Sequence, residues 1–419
     1  MTNDSTMNNH HAAGRVLKGL VGFAFILMLN PGPEAAGQIP GSGVWDLHPE
    51  QRWQVTESLR IGEGRGEGPA AFGFAQCVAV DPLDRIWVTD GFAHELRVFE
   101  ADGSHVRTVR KLPEGAGEFQ IIGEAFPGPG DRIWVEERSL RRYQIFDTAG
   151  TWVGSQEFIL PEAPEATRAW TRQGLMVARE VFDQEVDTIR FYELADGALR
   201  ETDRKRTWPA QRMSTHVVTV GAPEGKLSVS FLEAIPFATQ PSGFFGSDLD
   251  LWTARGDGPN RYEIRRTSLE TDDDLLSITQ GYEPVRVPDA VRRAAADSLV
   301  ELHTSTGNRL LSEIHWRKLP NRYPAYESLH VSAGGEIWVR RVLAAGRFGF
   351  DVFAPDGQYL GQPEVPQDLG LMSIRVIKGN SIYAIRTNAD GLDQIVRFDV
   401  AGMGETRAAT GFLAGCLEF

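Results

Sequence analysis

One motif recurs six times along the chain, and that repetition restricts the fold more than any single residue does. Residues 84–109 read DRIWVTDGFAHELRVFEADGSHVRTV, residues 131–154 read DRIWVEERSLRRYQIFDTAGTWVG, and residues 335–361 read GEIWVRRVLAAGRFGFDVFAPDGQYLG. Each is a short apolar run, a variable turn, a second run ending in Phe, an Asp-Gly or Ala-Gly turn, and a third run. Runs of this length, rich in β-branched and aromatic residues and bounded by turn formers, are strands rather than helices. Weaker copies lie at 174–200, 250–269 and 381–400. The anchors Trp87, Trp134, Met176, Trp252, Trp338 and Tyr383 are spaced by 47, 42, 76, 86 and 45 residues. A propeller blade of four short strands takes about 40–50 residues. Three spacings match that length and the other two carry insertions. The expected fold class is all-β, a six-bladed β-propeller with a short helical insertion between blades 4 and 5.

The helical insertion spans about 288–320. After Pro288, the run DAVRRAAADSLVEL places Val291, Ala295, Leu299 and Leu302 at helical spacing. Gly307 and Asn308 end it, and 309–318 is expected as a second short helix before Pro320. The other insertion, between Trp208 and Phe245, reads as extra strand and loop. The last copy lacks a fourth strand, whereas WQVTESLRI at 53–61 is a strand without a copy. Pairing the two would close the ring.

The glycine-rich lead-in GEGRGEGPAAF (62–72), followed by CVAVDPLDRIWVTD and LRVFEADGSHV, resembles an NHL-type repeat of six-bladed propellers. GAGEF (115–119) repeats the lead-in before the second copy. Over residues 53 to about 400 the chain resembles secreted bacterial six-bladed propeller proteins of the NHL-repeat/TolB-like class. The resemblance implies fold far more than function.

Three positions past each anchor stands a charge: Asp90, Glu137, Arg179, Arg255, Arg341 and Arg386. There the second strand gives way to a loop, and such loops share a face with the mouth of the channel. Arginine forks pair well with carboxylate or phosphate groups, so this rim is a candidate site for an anionic ligand. The competing reading is that the six residues bridge blades or cap strand ends.

Other chemistry is sparse. Asn388, Asp390 and Asp393 look like the start of a calcium loop, but the distal bidentate Glu is absent and a hairpin turn accounts for them. Asp272–Asp274 reads as a solvated turn. The nine histidines form no i, i+4 pair on one helix face, hence no zinc signature. Glu67-Gly68-Pro69 resembles the element of gluconolactonase-like propellers whose Glu ligates a divalent metal, without that family's Asn and Asp partners. No catalytic residue, metal ligand or cofactor is assigned. Cys77 sits in a strand and Cys416 in the tail GFLAGCLEF; a disulfide between them and two unpaired thiols are both open.

Composition bounds the function classes. With 42% hydrophobic and 10% aromatic residues the chain is not disordered. Two Cys exclude a disulfide scaffold or a four-thiolate zinc site. A net charge of −14 argues against nucleic acid as a partner. Residues 20–29, LVGFAFILML, follow Arg15 and Lys18 and fall short of the roughly 20 apolar residues a membrane helix needs. They fit a signal peptide over 1–37, cleaved before Gln38; an uncleaved anchor is the alternative. No lipobox cysteine is present. Residues 38–52 are then a linker, 53–403 the propeller and 404–419 a tail. The expectation is a periplasmic or extracellular monomer, a binding module presenting one loop face to a protein or anionic small molecule. Membrane contact would come only through an uncleaved signal segment. A metal-dependent lactonase/esterase-like hydrolase on the same fold is the alternative.

Overall fold

Each copy folds as a four-stranded antiparallel sheet in the computed structural model. The structure describes residues 42–62, 68–110, 119–157, 167–171, 174–181, 186–196, 198–209, 213–221, 228–246, 248–256, 258–304, 308–312 and 314–403. Sheet 1 comprises Ala75–Val80, Ile86–Asp90, Glu95–Phe99 and His105–Val109, and sheet 2 Ile122–Gly128, Arg132–Glu137, Arg142–Phe146 and Trp152–Glu157. Sheet 3 comprises Thr167–Trp170, Leu175–Val181, Val186–Ala195 and Ala198–Pro209, and sheet 4 Ser242–Phe245, Asp250–Gly256, Arg261–Ser268 and Asp274–Gly281. Sheet 5 holds Ser328–Val331, Ile337–Ala344, Arg347–Phe353 and Tyr359–Gly361. Sheet 6 holds Ser373–Lys378, Ser381–Thr387, Asp393–Ala401 and, out of chain order, Gln54–Ile61. That last strand runs antiparallel to Asp393–Ala401, from Gln54 opposite Ala401 to Ile61 opposite Ile395, the closure expected from 53–61.

The anchors explain how the sheets associate. All six are buried. Sheets 1 and 2 share a cluster around Trp87 and Phe146, sheets 2 and 3 one around Trp134, Trp170 and Met176, and sheets 3 and 4 one around Phe191 and Phe245. Trp252, Tyr326 and Phe353 join sheets 4 and 5, and Trp338, Phe398 and Trp53 join sheets 5 and 6. Tyr383 with Val78 and Phe99 joins sheet 6 back to sheet 1. Sheets apolar on both faces bury them against neighbours on both sides, and closing the ring leaves no apolar face uncovered. First strands of sheets 1 and 2, 2 and 3, 3 and 4, 5 and 6, and 6 and 1 lie beside one another. The architecture is a β-propeller. Asp-Gly turns were expected between third and fourth strands, and Gly103 and Gly357 there have φ of 85° and 89°. The positive φ calls for glycine at both, and a Cβ there would push aside the tip of Leu59 or Leu276 of the adjoining sheet, 2.8 or 2.9 Å away.

Two sequence expectations need correction. Residues 42–52 are no free linker: helix α1 (Val44–Leu47) lies against Tyr359–Gly361, and its Trp45, 2% exposed, sits 5.2 Å from Trp53. Among the described residues of 309–318 there is no helix beyond the single turn Trp316–Lys318, and Arg309–Leu310 instead pairs as a strand with Val220 and Gly221. The expected long helix is present as α2 (Asp289–Thr304).

That pairing unites the two insertions. Thr215–Gly221 and Ser228–Ala234 form a hairpin from the first, Arg309–Leu310 adds a third strand from the second, and α2 completes the module. Its core gathers Ala295, Ala296 and Leu319 with Ile235, Phe237 and Trp316. Both insertions join a fourth strand to the next first strand. In an antiparallel sheet the second and fourth strands run the same way, so their ends emerge on one face. The satellite therefore stands on the face that also carries the ends of the second strands. Residues 1–41 and 404–419, which hold the expected signal segment and tail, lie outside the described residues. Among the described residues no helix is long and apolar enough to cross a membrane.

Candidate functional site

The six predicted rim charges stand at or near the ends of their second strands, and the described ones turn toward their own protein. Asp90, 1% exposed, accepts the N–H groups of Gly73, Phe92 and Ala93, each at 3.1 Å, and pairs with Arg97 at 3.2 Å. Glu137 accepts the N–H groups of Gln120, Ile121 and Ser139 and the Ser139 hydroxyl. Gly73 and Gln120 belong to the lead-ins of sheets 1 and 2, so each carboxylate fastens the segment that enters its own sheet. Arg341 does the equivalent in sheet 5, its Nε donating to the carbonyl of Ala325 at 3.1 Å, and Arg386 in sheet 6, donating to Asp368 at 3.0 Å. Such loops leave backbone groups unpaired, and a charged side chain at the strand end satisfies them. Arg255 differs: its side chain is 60% exposed and donates to Glu263 at 2.6 Å. Burial alone would raise the Glu263 carboxyl, but hydrogen bonds from Arg265 and Arg255 outweigh it and hold the group below its ordinary range. The Arg179 side chain lies outside the described residues.

Arg341 also belongs to a buried network between sheets 4 and 5. Its Nη1 donates to Asp351 at 2.9 Å, and Asp351 further accepts from the Tyr262 hydroxyl at 2.9 Å, the Gln362 amide at 3.0 Å and the Tyr359 hydroxyl at 3.3 Å. Tyr282 lies under the guanidinium at 4.6 Å. Burial, reinforced by the Asp351 charge, drives the Tyr262 and Tyr359 hydroxyls well above their ordinary pKa, so both stay protonated donors. A buried ion pair with every oxygen occupied fixes geometry and has no free valence for a ligand.

One constellation escaped the sequence reading. His216 and Glu233 face each other across the satellite hairpin, and His303 from α2 comes to 3.2 Å from Glu233. Burial lowers the pKa of both histidines, with the Glu233 charge partly countering this at His216, and burial raises that of Glu233. His216 and His303 are 87 positions apart, so no spacing rule finds them.

The remaining candidates divide simply. Asn388 Oδ1 accepts from Asp390 N–H at 2.9 Å and Leu392 N–H at 3.0 Å, the hairpin turn rather than a cation loop. Asp393 accepts from Ala75 N–H at 2.9 Å and from the Thr387 hydroxyl at 2.8 Å, and burial raises its pKa. Glu67 lies outside the described residues. Cys77 is fully buried and receives the Ala125 N–H at 3.3 Å. Cys416, the other cysteine of the sequence, lies outside the described residues.

No family model matches this chain, and no curated protein matches it either. Among solved structures it is similar to a member of the duf4221 family from Bacteroides vulgatus, at 9% identity and TM-score 0.42, covering 84% of this chain and 99% of that one. It is similar also to virginiamycin B lyase from Staphylococcus aureus bound to quinupristin, at 12% identity and TM-score 0.38, with 83% and 99% covered. A third likeness is to regucalcin, a calcium-binding protein from Agrobacterium tumefaciens, at 13% identity and TM-score 0.36, with 83% and 96% covered. Likeness at these levels carries nothing about activity.

Proposed function

We propose that the chain is an exported six-bladed β-propeller of the NHL-repeat/TolB-like class, a monomeric binding module whose loop face receives a protein or an anionic small molecule. Six four-stranded sheets and six shared apolar clusters support the blade count. The observation that carries the binding reading is the satellite. Two insertions far apart in sequence fold together on the face where the second strands end, building surface that ring closure does not need. Among the described rim side chains, Arg255 and Arg386 carry solvent-reachable guanidinium groups. Elemental analysis of purified protein, run beside assays on simple lactones and esters, tests the reading. Substoichiometric metal and no turnover are expected; stoichiometric calcium or zinc whose removal abolishes hydrolysis would replace the binding module with the hydrolase. We further propose that Cys77 is bridged to Cys416, which would pin the tail to sheet 1. Intact mass should then rise by two hydrogens on reduction, and an unchanged mass rejects the bridge.

A further inference from the structure

The foot of the second insertion closes on itself. Val287 N–H donates to the Asn321 carbonyl and Tyr323 N–H to that of Val285, each at 2.9 Å, around an isolated bridge between Arg286 and Arg322. Beside this ladder lies an open cleft of about 510 Å³ lined by Arg286, Asp289, Arg292, Trp316, Arg317 and residues 319–321. The Trp316 ring has three guanidinium groups over it: Arg293 at 4.5 Å, Arg317 at 4.9 Å and Arg292 at 5.2 Å. Arg292 is the fixed one, 8% exposed, donating to the carbonyls of Arg317 (3.0 Å) and Leu319. It ties α2 to the Trp316–Lys318 turn and so holds the cleft walls together. Arg286 and Arg317 are exposed.

The charges here do not balance. Among the described residues Asp289 is the one carboxylate paired with any of Arg286, Arg292, Arg293 and Arg317, lying 3.7 Å from Arg286 and 3.4 Å from Arg292. Four arginines thus share one paired aspartate, in a chain whose net charge is −14. Like charges crowded around one ring repel, and an oxyanion between them removes that repulsion while using guanidinium forks as bidentate donors. The cleft's volume lies in the range of small-molecule sites.

We propose that this cleft binds a small, multiply charged anion of the polycarboxylate or phosphate class, held by Arg286 and Arg317 against the wall formed by Trp316 and Arg292. The assignment rests on the binding-module reading for its choice of face and names the ligand class within it. It is tested by calorimetric titration of the purified full chain with citrate and with pyrophosphate, at low and at high salt. The R286A/R317A double variant and R255A are titrated alongside. The wild type should bind at least one probe, more weakly at high salt, and the double variant should lose about tenfold or more in affinity, a larger loss than R255A shows. Both altered side chains are exposed, and matching melting curves would show that the double variant is folded. No binding of either probe by the wild type, or equal binding by the double variant, overturns the cleft. Loss of binding in R255A alone overturns it while leaving loop-face recognition at the rim intact. Cleft-dependent binding of a poly-glutamate peptide without binding of either probe overturns the small-anion class in favour of a protein partner.

Discussion

The rim and the satellite share one face of the ring, yet their charges do opposite things. At the rim, Asp90, Glu137, Arg341 and Arg386 turn inward or along the loop to fasten segments entering their own sheets. At the satellite, Arg292, Arg293 and Arg317 collect around Trp316, and Arg286 lines the same cleft beside Asp289. In four of the six sheets the charge at this repeated position anchors the sheet's own loops. A charge cluster found once, on surface the ring does not require, is free to serve recognition.

The sharpest way to break this comparison is to remove what the ring does need. Deleting residues 54–61 strips sheet 6 of its closing strand and exposes the cluster around Trp338 and Phe398. The cooperative thermal transition should disappear, whereas loss of one edge strand from an open array would only lower it. Next, Arg341→Ala should cost about 3–5 kcal/mol in denaturant unfolding, because it leaves Asp351 buried without its cation. Arg255→Ala, removing an exposed guanidinium while Glu263 keeps its bond from Arg265, should cost at most about 1 kcal/mol. Equal costs would erase the distinction between latch and exposed rim.

A smaller effect concerns the satellite alone. His216 and His303 have pKa values depressed below the ordinary 6.5. Their contribution to stability is complete above that value and is lost as pH falls through it toward the folded pKa. Glu233, raised above its ordinary 4.5, acts oppositely: stability falls as pH rises from 4.5 toward its folded pKa. Two histidines against one glutamate predict a net loss on acidification from pH 7 to 5. Replacing both histidines by Gln should flatten the pH dependence of the melting temperature over that range, and an unchanged slope would remove the cluster from the account.

Much of the ring was legible because its information is local. Apolar runs, Asp-Gly turns and an anchor every 40-odd residues specify each sheet, and the unmatched strand at 53–61 pointed to the closure. At the rim the sequence left two readings open, a ligand site or strand-end caps, and the hydrogen bonds of Asp90, Glu137, Arg341 and Arg386 follow the second. Nothing in a repeat tells a carboxylate to face solvent or to accept N–H groups, although Asp90 before Gly91 and Glu137 two residues before Ser139 do carry the signature of a strand-end cap. The satellite was illegible for a different reason. Val220 meets Leu310 across 90 positions, and Arg286 lines one cleft with Trp316 beside the ladder in which Val287 and Asn321 pair; periodicity records neither arrangement.

Hydrogen–deuterium exchange with and without saturating citrate tests the division of roles on this face most directly. The account predicts slowed exchange at residues 286–293 and 316–322, with no change at the rim loops 90–95 and 137–142. Protection of those rim loops with none at the cleft would contradict it.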